Sequence, residues 1–336
     1  MTRIAKLHTL GQSLWYDNIQ RRLLENGALA KMIRDGDIRG VTSNPSIFNN
    51  AIAKTNDYDA ALKPMAWAGW GAEEIFWQLA VEDIQAAADL FRPLYDSTNG
   101  GDGYVSLEVN PYLANDTEKT ISEARRLWAL VNRPNLMVKI PATQAGIPAI
   151  QQAIAAGINV NVTLIFSLQR YEEVMDAYLR GLEERAAKGL PIDSIASVAS
   201  FFVSRIDTKI DAQLEKMAQG GGQNAAQAAS LRGKAAIANA RLAYARYEAI
   251  FGSTRFESLK AKGGRTQRPL WASTSTKNPN YRDVIYVETL IAPDSVNTVP
   301  PQTLDAFRDH GEASVTIRQD LIGMEKALAD LESLGI

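Results

Sequence analysis

The stretch Leu136-Met137-Val138-Lys139-Ile140-Pro141-Ala142-Thr143 sets one cation inside a short apolar run bounded by an Asn-containing turn and a proline, the pattern of a buried parallel strand. Side chains alternate across a strand, so Met137 and Lys139 share one face while Leu136, Val138 and Ile140 share the other. Lys139 therefore points away from the aliphatic layer. Lysine is rarely buried alone, so at this position it is paired, has a chemical task, or snorkels its stem to water.

Outward from that strand, short apolar runs suited to strands recur at residues 13–17, 38–44, 104–110, 136–141, 160–166, 195–203, 270–274 and 284–290. Helical spacing lies between them, as in Ile121, Ala124, Leu127, Trp128 and Val131, or Tyr171, Val174, Met175, Tyr178, Leu179 and Leu182. Strand then helix, repeated, means parallel pairing. Eight such units are what a closed (β/α)8 TIM barrel needs, whereas an open doubly wound sheet usually has fewer strands and a Gly-rich turn after the first. The expectation is an α/β chain forming a single barrel domain over residues 1–336, with extra helices inserted after strands two and six. The first insertion includes 72–94, with Ile75, Leu79, Ile84, Ala88 and Phe91 on one stripe; the second includes 225–251, an alanine-rich segment predicted as one long helix. Both read as cladding. Gly220-Gly221-Gly222-Gln223-Asn224 follows no strand and reads as a connector rather than a phosphate cradle. Beyond the last strand, Thr303 is the expected cap of a short helix, and 317–334 is a terminal amphipathic one.

Composition narrows the chemistry. The 46% hydrophobic and 22% charged residues suit a globular core. A net charge of -2 gives no field to attract nucleic acid or an anionic membrane, so neither partner is expected. Residues 1–8 hold no apolar core of signal-peptide length, and cysteine is absent, which excludes disulfides, iron–sulfur clusters and thiolate catalysis; a cytoplasmic location is expected. His8 and His310 are the only imidazoles, so a multi-histidine metal site or a Ser-His-Asp triad cannot be assembled and no metal or cofactor is expected. Acid and base work falls to carboxylates, lysines and hydroxyls.

Barrel active sites lie at the carboxyl ends of the strands. Here the first strand ends in Asp17, the second in Thr42-Ser43-Asn44-Pro45, and the third in Glu108-Val109-Asn110. The fourth carries Lys139 and Thr143, and the fifth alternates Asn159, Asn161 and Thr163 on one inward face. The sixth ends in Ser200-Phe201-Phe202-Val203-Ser204-Arg205 and the seventh in Ser273-Thr274-Ser275-Thr276-Lys277. Any one of these suits a capped turn or a satisfied core polar group; their recurrence over seven strands does not. An amine among apolar neighbours loses basicity, because burial disfavours the charged form, and the neutral amine attacks a ketone to give a Schiff base. The protonated imine is an electron sink that permits cleavage of the adjacent carbon–carbon bond while a carboxylate takes the neighbouring hydroxyl proton. Asp17 and Glu108 can divide those roles. Arg205 and Lys277, with the serines beside them, suit a phosphate at the mouth.

Gly40-Val41-Thr42-Ser43-Asn44-Pro45-Ser46 and Leu136-Met137-Val138-Lys139-Ile140-Pro141-Ala142-Thr143 resemble the two signatures of the transaldolase family, and the resemblance spans residues 14–298. It implies a cofactor-free barrel enzyme of the pentose phosphate pathway that moves a dihydroxyacetone unit between phosphorylated ketoses and aldoses. By the same resemblance Lys139 is the imine lysine, Asp17 the base on the C4 hydroxyl, and Glu108 with Thr163 the pair positioning a proton-shuttling water. Asn44 and Asn161 would hold the dihydroxyacetone hydroxyls, Thr42 and Ser200 would support them, Phe202 would line the pocket and Arg205 would bind phosphate. Many relatives carry Ser-Phe-Arg after strand seven. Here Lys277 is the second phosphate cation, accompanied by Ser273 or Ser275. The insertion after strand two and Pro293-Asp294-Ser295-Val296-Asn297-Thr298 resemble the branch also found fused to glucose-6-phosphate isomerase. A monomer and a homodimer both fit. Two other readings remain at this level: an aldolase of the same barrel group, and a sugar-phosphate-binding protein without catalysis.

Overall fold

The computed structural model describes residues 1–336. Eight strands run parallel in the order of the chain: β1 Gln12–Tyr16, β2 Gly40–Val41, β3 Tyr104–Glu108, β4 Leu136–Pro141, β5 Val160–Ile165, β6 Ser197–Phe202, β7 Gln267–Ala272 and β8 Ser295–Val299. They close on themselves, with β8 returning to β1 in register from Gln12 opposite Ser295 to Tyr16 opposite Val299. This is the expected (β/α)8 barrel.

Alternation along each strand builds two apolar layers. Leu136, Val138 and Ile140 of β4 face outward into a core of 65 buried residues between strands and helices. Met137 faces inward and joins Trp15, Tyr104, Val198, Phe202, Leu270 and Val296 inside the barrel. Each such large apolar side chain, fully buried, contributes roughly 1.5–3 kcal/mol. Trp15 fills the interior only because β2 opposes it with Gly40, where a Cβ would lie 2.6 Å from the indole ring. At the amino-terminal face, Asp102 accepts from Ser13 Oγ at 2.7 Å and Trp15 Nε1 at 3.2 Å, and pairs with Arg39 and Arg268 at 3.2 and 3.3 Å.

The eighth strand is not where the apolar run 284–290 predicts it. That run forms a short helix, Ile285–Glu288, with Tyr286, Val287 and Leu290 in the outer core, and the strand follows at Ser295–Val299. β8 is polar for a buried strand because partners absorb its side chains: Ser295 Oγ accepts from Gln12, Asn297 Oδ1 from Thr274, and Thr298 shares a hydrogen bond with Thr42. The insertions lie where expected. Helices Pro45–Ala53, Asp59–Trp67 and Ala72–Ser97 separate β2 from β3, and Ser204–Gln219, Ala225–Leu231, Ala235–Phe251 and Thr254–Lys260 separate β6 from β7. The segment 225–251 is thus two helices rather than one, broken at Gly233, whose φ of +70° no helix accommodates. Thr303 caps nothing; the helix Pro301–His310 starts on its own proline, and the terminal helix runs Leu321–Ser333. No helix is long and apolar enough to cross a membrane.

Candidate active site

At the carboxyl ends of the strands the interior turns from apolar to polar. A cavity of about 480 Å³ opens there, lined by Asp17, Thr42, Asn44, Glu108, Lys139, Thr163, Ser200, Phe202, Arg205, Ser273 and Lys277 among others. Its size lies in the usual range for small-molecule sites. Of the twelve residues singled out from the sequence, only Asn161 is missing from its wall.

Lys139 is 7% exposed and its Nζ meets two groups: Glu108 Oε2 at 3.1 Å and the Ser43 carbonyl oxygen, to which it donates at 3.2 Å. The register explains the pairing, since Glu108 of β3 lies beside Lys139 of β4, and Lys139 beside Asn161 of β5. Ser43 turns its carbonyl inward because its own hydroxyl donates to the Ser106 carbonyl at 2.7 Å.

Asp17 sits one residue past β1. Thr42 donates to its Oδ1 at 2.6 Å, and Thr298 donates in turn to Thr42 at 2.6 Å, so a row of two hydroxyls orders the carboxylate. Its surface is open to the cavity, yet protein surrounds it on every other side. Burial pushes the Asp17 carboxyl above its ordinary value, while Lys139, the Thr42 hydrogen bond and Arg205 pull it back.

The remaining polar groups divide into fixed and free. Asn161 is fully buried, donating to Ser106 Oγ at 3.0 Å and accepting from Ser200 Oγ at 2.7 Å, so it forms floor rather than wall. Asn44 caps the helix Pro45–Ala53, its Oδ1 accepting from Ile47 N at 2.9 Å, which leaves its amide hydrogens for the cavity. Thr163 is 1% exposed and its hydroxyl has no protein partner; of the buried side-chain atoms in that state it is the one on the wall of this cavity. A bulge holds it in place: Leu164 takes φ +62° and the β5–β6 register shifts between Val162 and Ile165, returning Ile165 to the outer core.

At the mouth, Arg205 lies over the Phe202 ring at 5.1 Å, with Phe166 packed on that ring's other neighbourhood at 5.2 Å. Lys277 Nζ donates to Ser275 Oγ at 2.6 Å. Ser273, at φ +55°, pairs instead with Ser204 Oγ at 3.1 Å, so the serine beside Lys277 is Ser275. Neither cation has a carboxylate within salt-bridge distance, so both remain available to an anion. The arrangement brings together a buried amine beside one carboxylate, a second carboxylate held by a row of two hydroxyls, an unpartnered hydroxyl and two cations without a carboxylate partner.

The family model described as Transaldolase/Fructose-6-phosphate aldolase matches residues 14–336. The chain belongs to that family. Among curated relatives, the transaldolase of Thermobifida fusca is 50% identical over 334 residues, covering 99% of this chain and 89% of its own length. That of Mycolicibacterium smegmatis is 49% identical over 334 residues, with 99% and 88% covered. The transaldolase of Saccharopolyspora erythraea is 52% identical over 311 residues, with 93% and 82% covered. The protein is an enzyme of the transaldolase type.

Three members of this site were not singled out from the sequence. Ser106 orients Asn161 and was legible, since Tyr104, Ser106 and Glu108 alternate on one face of β3. Thr298, which feeds Thr42, was hidden by the misplaced eighth strand. The Ser43 carbonyl has no sequence signal, because which backbone oxygen turns inward depends on a side-chain bond formed only in the fold.

Proposed function

We propose that the enzyme transfers a dihydroxyacetone unit from sedoheptulose 7-phosphate or fructose 6-phosphate to glyceraldehyde 3-phosphate or erythrose 4-phosphate, through a Schiff base on Lys139, in the non-oxidative pentose phosphate pathway. The carrying observation is the buried Lys139 amine held 3.1 Å from Glu108 in one cavity with Asp17. Proton transfer to Glu108 frees the amine to attack the donor's C2 carbonyl, and loss of water gives the iminium. Asp17 takes the C4 hydroxyl proton, the C3–C4 bond breaks, its electron pair moves into the iminium to give an enamine on Lys139, and the first aldose leaves. The enamine then attacks the acceptor aldehyde and Asp17 returns its proton to the new alkoxide. Water attacks the resulting iminium and releases the product; in this reading Glu108 and the unpartnered Thr163 hydroxyl hold that water. The amide hydrogens of Asn44 meet the dihydroxyacetone hydroxyls, and Asn161 acts beneath them by fixing Ser200. Phe202 walls the pocket, and Arg205 with Lys277 and Ser275 grips the phosphate.

The test is borohydride reduction of the enzyme mixed with fructose 6-phosphate, followed by peptide mass mapping. A reduced three-carbon adduct on Lys139, lost in Lys139→Met, is expected; no adduct with activity intact would remove Lys139 from the reaction. Assay with the donor alone separates transfer from aldol cleavage. Free dihydroxyacetone released at full rate without an acceptor would make the enzyme an aldolase instead.

A further inference from the structure

Arg205 and Lys277 stand on different elements: Arg205 in the first turn of the helix Ser204–Gln219, Lys277 in the connection between β7 and β8. One phosphate can be gripped by both only if those elements keep a fixed distance. Two turns of the helix provide a device for this. Asp207 and Asp211, one helical turn apart, are 1% and 6% exposed, and neither has a lysine or arginine within salt-bridge distance. Each accepts from neutral donors. Asp207 takes Tyr286 Oη at 2.7 Å and Ala236 N at 2.8 Å; Asp211 takes Tyr281 Oη at 2.7 Å and Gly233 N at 2.9 Å.

Both tyrosines belong to the connection that carries Lys277, and both backbone donors belong to the start of the helix Ala235–Phe251 or the turn before it. The turn is shaped for this contact: Gly233 has φ +70°, and a Cβ there would meet the Tyr281 ring at 2.9 Å. A small cavity of about 280 Å³ between the two elements is lined by Asp207, Asp211, Tyr281, Tyr286 and Lys277. Buried carboxylates without a cation are expensive, and an apolar pair would hold two elements together more cheaply. Directional hydrogen bonds do what apolar packing does not, because they fix one separation and one register.

We propose that Asp207 with Tyr286 and Asp211 with Tyr281 are positioning pairs that set the separation of Arg205 and Lys277, and through it the enzyme's affinity for phosphorylated sugars. The inference rests on the phosphate role given to Arg205 and Lys277 above. Tyr281→Phe and Tyr286→Phe remove only the hydroxyls. Each is expected to raise KM for fructose 6-phosphate about threefold to tenfold, the effect of one hydrogen bond of typical strength, with kcat within twofold of the parent. The inhibition constant of inorganic phosphate against that donor rises by the same factor. A merely structural role lowers kcat and the melting temperature and leaves phosphate inhibition where it was.

Arg205→Gln is the reference arm. If it leaves phosphate inhibition unchanged, the phosphate reading itself fails. If it weakens inhibition while the double variant Tyr281→Phe/Tyr286→Phe, folded with the parent's melting temperature, does not, the positioning inference is overturned. Should the double variant not fold, the two single variants decide by the same comparison.

Discussion

Two carboxylates in one cavity with one amine can divide labour only if their surroundings differ, and here they do. Glu108 contacts the ammonium of Lys139 directly, whereas Asp17 accepts a hydrogen bond from Thr42, to which Thr298 donates in turn. In the proposed reaction Asp17 acts as a base only when ionised, and burial raises its carboxyl above the ordinary value, so activity is expected to fall as pH drops through a value higher than that of a free aspartate. The kcat/KM profile is expected to show an acid limb above about pH 4, the ordinary carboxylate position. Thr42→Val deletes the donor that favours the ionised form and should move that limb to higher pH, with kcat down about tenfold; an unmoved limb would separate Asp17 from it. Asp17→Asn removes the base, so kcat should fall about 10²- to 10⁴-fold, the usual yield of acid–base catalysis, while the borohydride adduct on Lys139 with dihydroxyacetone still forms. Loss of the adduct together with turnover would assign Asp17 to imine formation instead.

At the scale of elements, legibility followed how each strand solves its burial. β4 reads plainly from sequence because its outward face is aliphatic and its inward face holds a single lysine, so period-two alternation separates core from chemistry. The inward faces of β5 and β6 read in the same way through Asn161, Thr163 and Ser200. β8 was illegible because Ser295, Asn297 and Thr298 are satisfied by Gln12, Thr274 and Thr42, partners remote in sequence, while the apolar run just before it mimics a strand and packs as a helix. The count of eight survived only because one strand was exchanged for another. The helix Ser204–Gln219 hides its buried acids similarly, since Asp207 in an amphipathic pattern looks like a solvated residue. Burial raises its carboxyl from 3.8 to about 6, with Asp211 adding to the rise, so the folded chain binds this proton more tightly than the unfolded chain. The group therefore contributes stability at low pH and loses it as pH rises through about 6. Denaturant unfolding of the parent and Asp207→Asn should show the parent gaining on the variant by about 1 kcal/mol from pH 7.5 to 5, and by up to about 3 kcal/mol below pH 4. A difference that does not change with pH would place the proton elsewhere.

Across the whole molecule the barrel separates chemistry from stability end to end. The carboxyl-terminal face keeps a buried hydroxyl without a protein partner and two solvent-exposed cations that no carboxylate pairs. At the amino-terminal face Asp102, 5% exposed, ties Ser13 and Trp15 of β1 to Arg268 of β7 across the closure of the ring, with Arg39 on the approach to β2. Between them lies the interior layer of Trp15, Tyr104, Met137, Leu270 and Val296. Asp102→Asn leaves Arg268, whose side chain is 17% exposed, with only the half-exposed Asp294 at 3.7 Å as counter-charge, and the loss of the buried partner is destabilising by about 1.5–3 kcal/mol. Arg39, 36% exposed, adds little to that sum. The expected variant unfolds at lower denaturant yet keeps kcat and KM within about twofold of the parent at a temperature where it is folded, because conservation of function at the far face needs only that the ring stay closed. If kcat fell with the fold intact, the apolar layer would be transmitting strain between the faces and the separation of the two ends would not hold.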